Sequence, residues 1–412
     1  MQSELGSPQD GFWERVAAEG APLVEPDPDD PAYRLVTFVH RDDPDEPCDG
    51  VLALVHTVTD KDRHAGDLTP HLMERQPGGW SLTYRLRADH RASYQLYPVH
   101  GSAPGTARSD WLQVLDGARP DPLAHGPRLP ARDGRHPSSV LALPGAPAQP
   151  YAERRDGVPR GRTVAAEVDG RRVDVRLPAG HRADGGPYPV LVLLDGEMWG
   201  EVLSVGDTLD NLVADGAVPP AVTLLVHTMG PGRPDDLSCN PGFVDFLADR
   251  LLPWAAAEYG TALTPDRTVI AGQSAGGLTA AFAAFRQPER FGGALSQSGS
   301  FWWPDGTEFD AGSEWLTRQF AAGERRAARF YLEVGLQEWM LLPQNRHLRD
   351  VLVARGYDVE YREFNGGHDY ACWRGGLADG LAHLLGSPRG GVRADPQTGR
   401  AGAAGAPGAA RA

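Results

Sequence analysis

The chain has 412 residues, more than a single hydrophobic core usually serves, which excludes one small module and favours two domains or one large domain with an appendage. Hydrophobic residues make up 41% and charged residues 23%, enough core-forming material to exclude wholesale disorder. A formal net charge of -15 repels phosphate, so nucleic acid and anionic membrane surfaces are not expected partners.

Lys61 is the single lysine, so arginine supplies every other cation, and an anionic ligand would need a local arginine cluster. Cys48, Cys239 and Cys372 are far apart and form no metal or disulfide pattern, which suits a reducing compartment. Residues 1–20 lack a basic stretch followed by an apolar one, and the apolar runs are strand-length. A cytoplasmic location without membrane association is therefore expected.

After a lead segment over 1–32, four alternating or apolar runs (Leu35–Val39, Val51–Val55, Trp80–Leu86 and Ala92–Tyr97) are separated by acidic, Gly- and Pro-containing turns. This grammar predicts an all-β, sandwich-like domain over 33–125. Recurrent proline then predicts an extended linker or strap over 126–161. From 162 to 387 strand and helix signals alternate. Thr163–Val168 and Arg171–Leu177 make a hairpin about Asp169-Gly170, and strands follow at Val190–Leu194, Ala221–Val226, Thr268–Ala271, Gly293–Leu295, Phe330–Val334 and Val359–Phe364. Helices are expected at Asn240–Tyr259, Gly276–Arg286, Asn345–Arg355 and Leu377–Leu385. That order predicts an α/β hydrolase: a mostly parallel sheet with helices on both faces. Residues 388–412, rich in Gly, Ala, Arg and Pro, are expected to be a disordered tail.

Gly272-Gln273-Ser274-Ala275-Gly276 lies between a predicted strand and a predicted helix, the setting in which G-x-S-x-G lifts a serine above a sheet. Ser274 is the candidate nucleophile. Such a serine needs a base, and His368 follows the last strand after two glycines. The orienting acid belongs between them in chain order. Glu338, in the loop after Phe330–Val334, is the first choice, with Asp369 and Glu333 in reserve. Oxyanion donors are sought at the amides of Ala275 and of Gly196 or Glu197, the latter in the loop after Val190–Leu194.

Several further segments carry a resemblance beyond fold: Leu193-Leu194-Asp195-Gly196-Glu197-Met198-Trp199, Arg233 with Asp235 to Asn240, the elbow with Gly277, and Gly366-Gly367-His368-Asp369 through Trp373-Arg374-Gly375-Gly376-Leu377. Upstream, Val58-Thr59-Asp60, Trp80, His90-Arg91-Ala92-Ser93-Tyr94 and Asp121-Pro122-Leu123 add to it. From roughly Tyr33 to Leu385 the chain resembles the enterochelin (enterobactin) esterases. The resemblance implies hydrolysis, in the cytoplasm, of the serine ester bonds of a ferric catecholate siderophore trilactone, a small-molecule substrate that brings its own iron. No cofactor or protein-held metal is implied, and oligomeric state is left open. A ferric tris-catecholate is anionic, so Arg91, Arg233 and Arg374 are candidate substrate contacts, with Trp199 and Trp373, and also Trp302, Trp303 and Trp339, as candidate pocket walls. Ala275 and the Trp339-Met340 pair depart from the family's usual pattern and leave the siderophore open. A general acyl or carbohydrate esterase, and a non-catalytic siderophore-binding protein, are the rival readings.

Overall fold

A computed structural model describes residues 8–132, 134–304 and 312–386. The expected tail at 388–412 lies outside them. In the N-terminal part, β1 (Leu23–Pro26), β2 (Tyr33–Arg41), β4 (Glu74–Gln76) and β5 (Gly79–Arg87) form one antiparallel sheet in the order β1-β2-β5-β4. A second takes the order β3-β6-β8-β7, from β3 (Gly50–Val55), β6 (Arg91–Val99), β7 (Arg128–Leu129) and β8 (Ser138–Ala142). Alternate residues of β2, β3 and β6, among them Val36, Phe38, Val51, Ala53, Ala92, Tyr94 and Leu96, close one core between the sheets.

Two expectations need correction here. The lead segment is not separate: it holds a helix, Pro8–Glu19, and a strand, β1, paired with β2 from Leu23↔Thr37 to Pro26↔Arg34. Nor is 126–161 merely a strap, because β8 pairs with β6 from Arg91↔Ala142 to Tyr94↔Ser139. The prolines flank β8 without entering it, so the ladder keeps its donors. The domain also carries helices at Val58–His64 and Arg108–Gly117.

The catalytic-type half has one eight-stranded sheet, ordered β16-β15-β14-β13-β11-β12-β10-β9. Its strands are β9 (Arg162–Val168), β10 (Arg171–Leu177), β11 (Val190–Leu194), β12 (Val222–Val226), β13 (Thr268–Gln273), β14 (Gly293–Gln297), β15 (Arg329–Gly335) and β16 (Asp358–Phe364). Pairing is parallel from β12 through β16 and antiparallel at β9–β10–β12. Both faces are covered, which is why β11 reads as unbroken Val-Leu-Val-Leu-Leu. Val190, Val192 and Leu194 face a core completed by Phe243, Leu247, Leu278 and Leu348, while Leu191 and Leu193 face Leu212, Leu377 and Leu381. Each such fully buried aliphatic side chain contributes about 1.5–3 kcal/mol of transfer free energy. The parallel strands bring the ends of β11, β13 and β15 to one edge, where open α/β sheets place their ligands.

Candidate functional site

β13 ends at Gln273 and the helix Ala275–Arg286 begins at once, leaving Ser274 alone in the turn at φ 57°, ψ -119°. A serine there is strained by roughly 1–3 kcal/mol, and the surroundings hold it. Its amide donates to Gln297 O at 3.0 Å, and its carbonyl accepts from Ser300 N at 3.0 Å. The turn is this tight because Gly272 packs on Gly276 backbone, where a Cβ would collide. The Ser274 hydroxyl is half-buried and lies 3.2 Å from Ser300 Oγ. Ala275 is the first helical residue, so its amide is one of the end donors without an intrahelical acceptor.

Of the three carboxylates considered, Glu338 is the one whose oxygen reaches the His368 ring: Nδ1 donates to Glu338 Oε2 at 2.6 Å. Glu338 is 2% exposed, and its other oxygen accepts from Ser298 Oγ at 2.6 Å and Gly335 N at 2.8 Å. The bond to Nδ1 sets the tautomer and leaves Nε2 as the acceptor. Asp369 is committed elsewhere, capping the helix Tyr370–Leu385 through Ala371 N and accepting from Ser93 N across the domain boundary. Glu333 lies in a buried chain: Trp199 Nε1 donates to Gln273 Oε1, Gln273 Nε2 to Gln297 Oε1, and Gln297 Nε2 to Glu333 Oε1. Burial pushes the Glu333 carboxyl up to about 8, so it stays protonated at neutral pH.

The Asp195-Gly196-Glu197 turn follows β11 beside the elbow, and an added Cβ on Gly276 would lie 3.9 Å from Asp195 Oδ2. Asp195 is buried at φ 53° and accepts from Thr228 Oγ1 at 2.6 Å and from both arms of Arg233 at 2.8 and 2.7 Å. Glu197 ties this turn to the end of β12, accepting from Thr228 N at 3.2 Å and Met229 N at 2.6 Å.

The residues expected to meet substrate have partners within the protein. Trp199, 1% exposed, and Trp373, 3% exposed, are inside the protein. Trp199 holds Gln273, and Trp373 donates to Ser298 Oγ at 3.0 Å with its ring edge-on to His368, so both build the site from behind. Trp303 packs on Trp315, and Trp339 faces His64. Arg233 is neutralised by Asp195, and Arg374 is held by Gln149 and Glu153 at 2.9 Å each. Arg91 donates to Pro147 O at 2.8 Å and lines a separate cavity with Glu333, Arg362 and Asp379. Arg233 and Arg374 are thus each paired with a carboxylate, and Arg91 with a backbone carbonyl. Their carboxylate and carbonyl partners are distant in sequence, which hid them from sequence reasoning.

Residues missed from sequence are the ones that grip His368. Thr57 Oγ1 accepts from His368 N at 2.8 Å, and His56 Nε2 donates to His368 O at 2.7 Å. Thr57 is buried at φ 70°, ψ -40°, an outlier for a β-branched residue. Gly367 is required opposite it, since a Cβ there would collide with the Thr57 side chain. Ser298 and Ser300 are two further residues that no motif announced.

Among the described residues no helix is long and apolar enough to cross a membrane. Residues 168–384 match the putative esterase family, and residues 35–152 match the N-terminal domain of enterochelin esterase. The chain is 33% identical to the iron(III) enterobactin esterase of Dickeya dadantii over 92% of its own length and 94% of that protein. It is 36% identical to the iron(III) enterobactin esterase of Escherichia coli O6:H1, over 79% and 84% respectively. The ferric enterobactin esterase structure from Salmonella typhimurium superposes with a TM-score of 0.78 at 31% identity, covering 91% of this chain and 98% of that one. Built on an α/β-hydrolase sheet with an N-terminal antiparallel β domain, the chain belongs to the enterochelin esterase family.

Proposed function

We propose that this protein is a serine esterase that hydrolyses the ester bonds of a ferric catecholate siderophore trilactone such as enterobactin. Ser274 attacks the ester carbonyl. His368 Nε2 takes the serine proton and returns it to the leaving alkoxide, while Glu338 holds the ring through Nδ1 and stabilises the imidazolium. The amide of Ala275, with that of Gly196 or Glu197, receives the oxyanion. Water then attacks the acyl-enzyme by the same route in reverse. The carrying observation is the 2.6 Å bond from His368 Nδ1 to Glu338 Oε2, together with a strained serine at the strand–helix elbow. Nucleophile–base contacts in such sites commonly tighten only with substrate in place. The protein itself needs no metal or cofactor for these steps, and iron enters as part of the substrate.

Support for the substrate comes from the relatives: iron(III) enterobactin and salmochelin esterases are 31–36% identical over 79–92% of this chain. Related enterobactin esterase structures from Shigella flexneri were obtained in the presence of enterobactin and of 2,3-dihydroxybenzoyl-serine. We place the activity in the cytoplasm, where released iron can be reduced. The test compares kcat/KM for ferric enterobactin, p-nitrophenyl esters and acetylated xylan. A marked preference for the catecholate is expected. Preference for xylan acetate would instead favour a carbohydrate esterase.

A further inference from the structure

The arginines expected to meet an anionic substrate are tied to acidic or carbonyl partners, yet a protein of net charge -15 must somewhere present a cation to such a ligand. One cavity next to the His368 loop does so. It lies in the N-terminal domain and is lined by His56, Asp60, Trp111, Arg132, Arg135 and His136, among others. It adjoins the His368 loop at two points. His56 both lines the cavity and bonds to the His368 carbonyl, and the Arg132 guanidinium lies 5.1 Å over the ring of Tyr370, two residues beyond His368.

Among the described residues Arg132 makes no ion pair with a carboxylate, in contrast to Arg135, which pairs with Asp116 at 3.0 Å. The single acid on the lining, Asp60, already has partners, accepting from Thr57 N at 2.9 Å and facing His56 Nδ1 at 3.9 Å. Trp111 adds a buried aromatic wall. We propose that this cavity is the subsite for an anionic aromatic arm of the substrate, a catecholate, with Arg132 as its main cation and specificity determinant. The guanidinium plane suits an ortho-dihydroxyaryl group twice over, stacking on the ring and pairing with two adjacent oxygens. A small neutral ester has no arm to put there.

The inference rests on the proposed siderophore reading, so the experiment has one arm for each. Steady-state kinetics of Arg132→Gln and Arg132→Lys should be measured with ferric enterobactin and with p-nitrophenyl butyrate. KM for ferric enterobactin should rise about tenfold or more in Arg132→Gln, consistent with losing a hydrogen bond to a charged group. Arg132→Lys should recover part of that loss, and p-nitrophenyl butyrate turnover should be unchanged in both. An unchanged KM for ferric enterobactin overturns the subsite. If the wild-type protein does not cleave ferric enterobactin at all, the proposed function fails. The subsite is then read from calorimetric binding of 2,3-dihydroxybenzoyl-serine. Binding that weakens in Arg132→Gln supports it, and binding that is absent, or equal in the two proteins, overturns it.

Discussion

The hydroxyl of Thr57, in the N-terminal domain, accepts a 2.8 Å hydrogen bond from the backbone amide of His368, in a loop of the other domain. With His56 on the His368 carbonyl, the β domain holds both backbone polar groups of the proposed base. The left-handed conformation of Thr57 is strain stored where the surroundings over-determine it, as at many functional sites. Thr57→Ala should therefore lower kcat by about tenfold with KM little changed, the size expected for one lost buried hydrogen bond. Thr57→Ser should restore most of the rate. Parallel kcat and KM measurements check it, and a purely structural role would instead lower the amount of folded enzyme without altering kcat per active site.

Glu338→Gln keeps the size of the side chain but removes the charge that orients His368 and stabilises its protonated form. Since the amide can present a donor where the Nδ1 proton now points, the wrong tautomer is favoured. A fall in kcat of roughly 10³-fold or more is expected, by analogy with the triad aspartate. Corresponding Asn or Gln changes at Asp369 and Glu333 should not produce it, because those carboxylates cap a helix and close a buried network.

Ser298 donates to Glu338 and accepts from Trp373, so Ser298→Ala removes two buried hydrogen bonds together. Loss of about 1–3 kcal/mol of folding stability is expected, with a further drop in kcat as Glu338 loosens. Urea denaturation alongside kinetics would register both.

Glu333 gives the fold a pH dependence of definite sign. Burial raises its carboxyl from 4.5 to about 8 in the folded protein. Between those values the unfolded chain has released the proton and the native protein still holds it, so the unfolded state binds fewer protons and this residue's contribution to stability falls as pH rises. Below 4.5 both states are protonated, and above about 8 the decline ends. Glu333→Gln keeps a neutral side chain in the network, so its Tm should exceed that of the wild type by more at pH 8 than at pH 5. Equal Tm differences at both pH values would refute the assignment.

Much of this was legible from local pattern. The elbow, the strand β11 and the acid–base order all follow from residues close in sequence, since strand–turn–helix grammar and chain order are local properties. The helix Tyr370–Leu385 began earlier than its apolar periodicity suggested because Asp369 caps it. Long-range pairing was not legible. Arg233 finds Asp195 and Arg374 finds Glu153 only once the sheet is assembled, and β1 and β8 are too short and too close to proline to announce themselves without β2 and β6 beside them. The grip of Thr57 on His368 had no periodic signature, and Thr57 lies just before the Val58-Thr59-Asp60 segment that carried the family resemblance.

The central claim is that Ser274 opens a catecholate trilactone through an acyl-enzyme held by His368 and Glu338. Mass spectrometry of the products formed from ferric enterobactin by the wild-type protein and by Ser274→Ala tests it most directly. The account predicts linear and monomeric 2,3-dihydroxybenzoyl-serine products with the wild-type enzyme and intact trilactone with the variant. Undiminished hydrolysis by Ser274→Ala, or an intact trilactone with the wild-type enzyme, would contradict it.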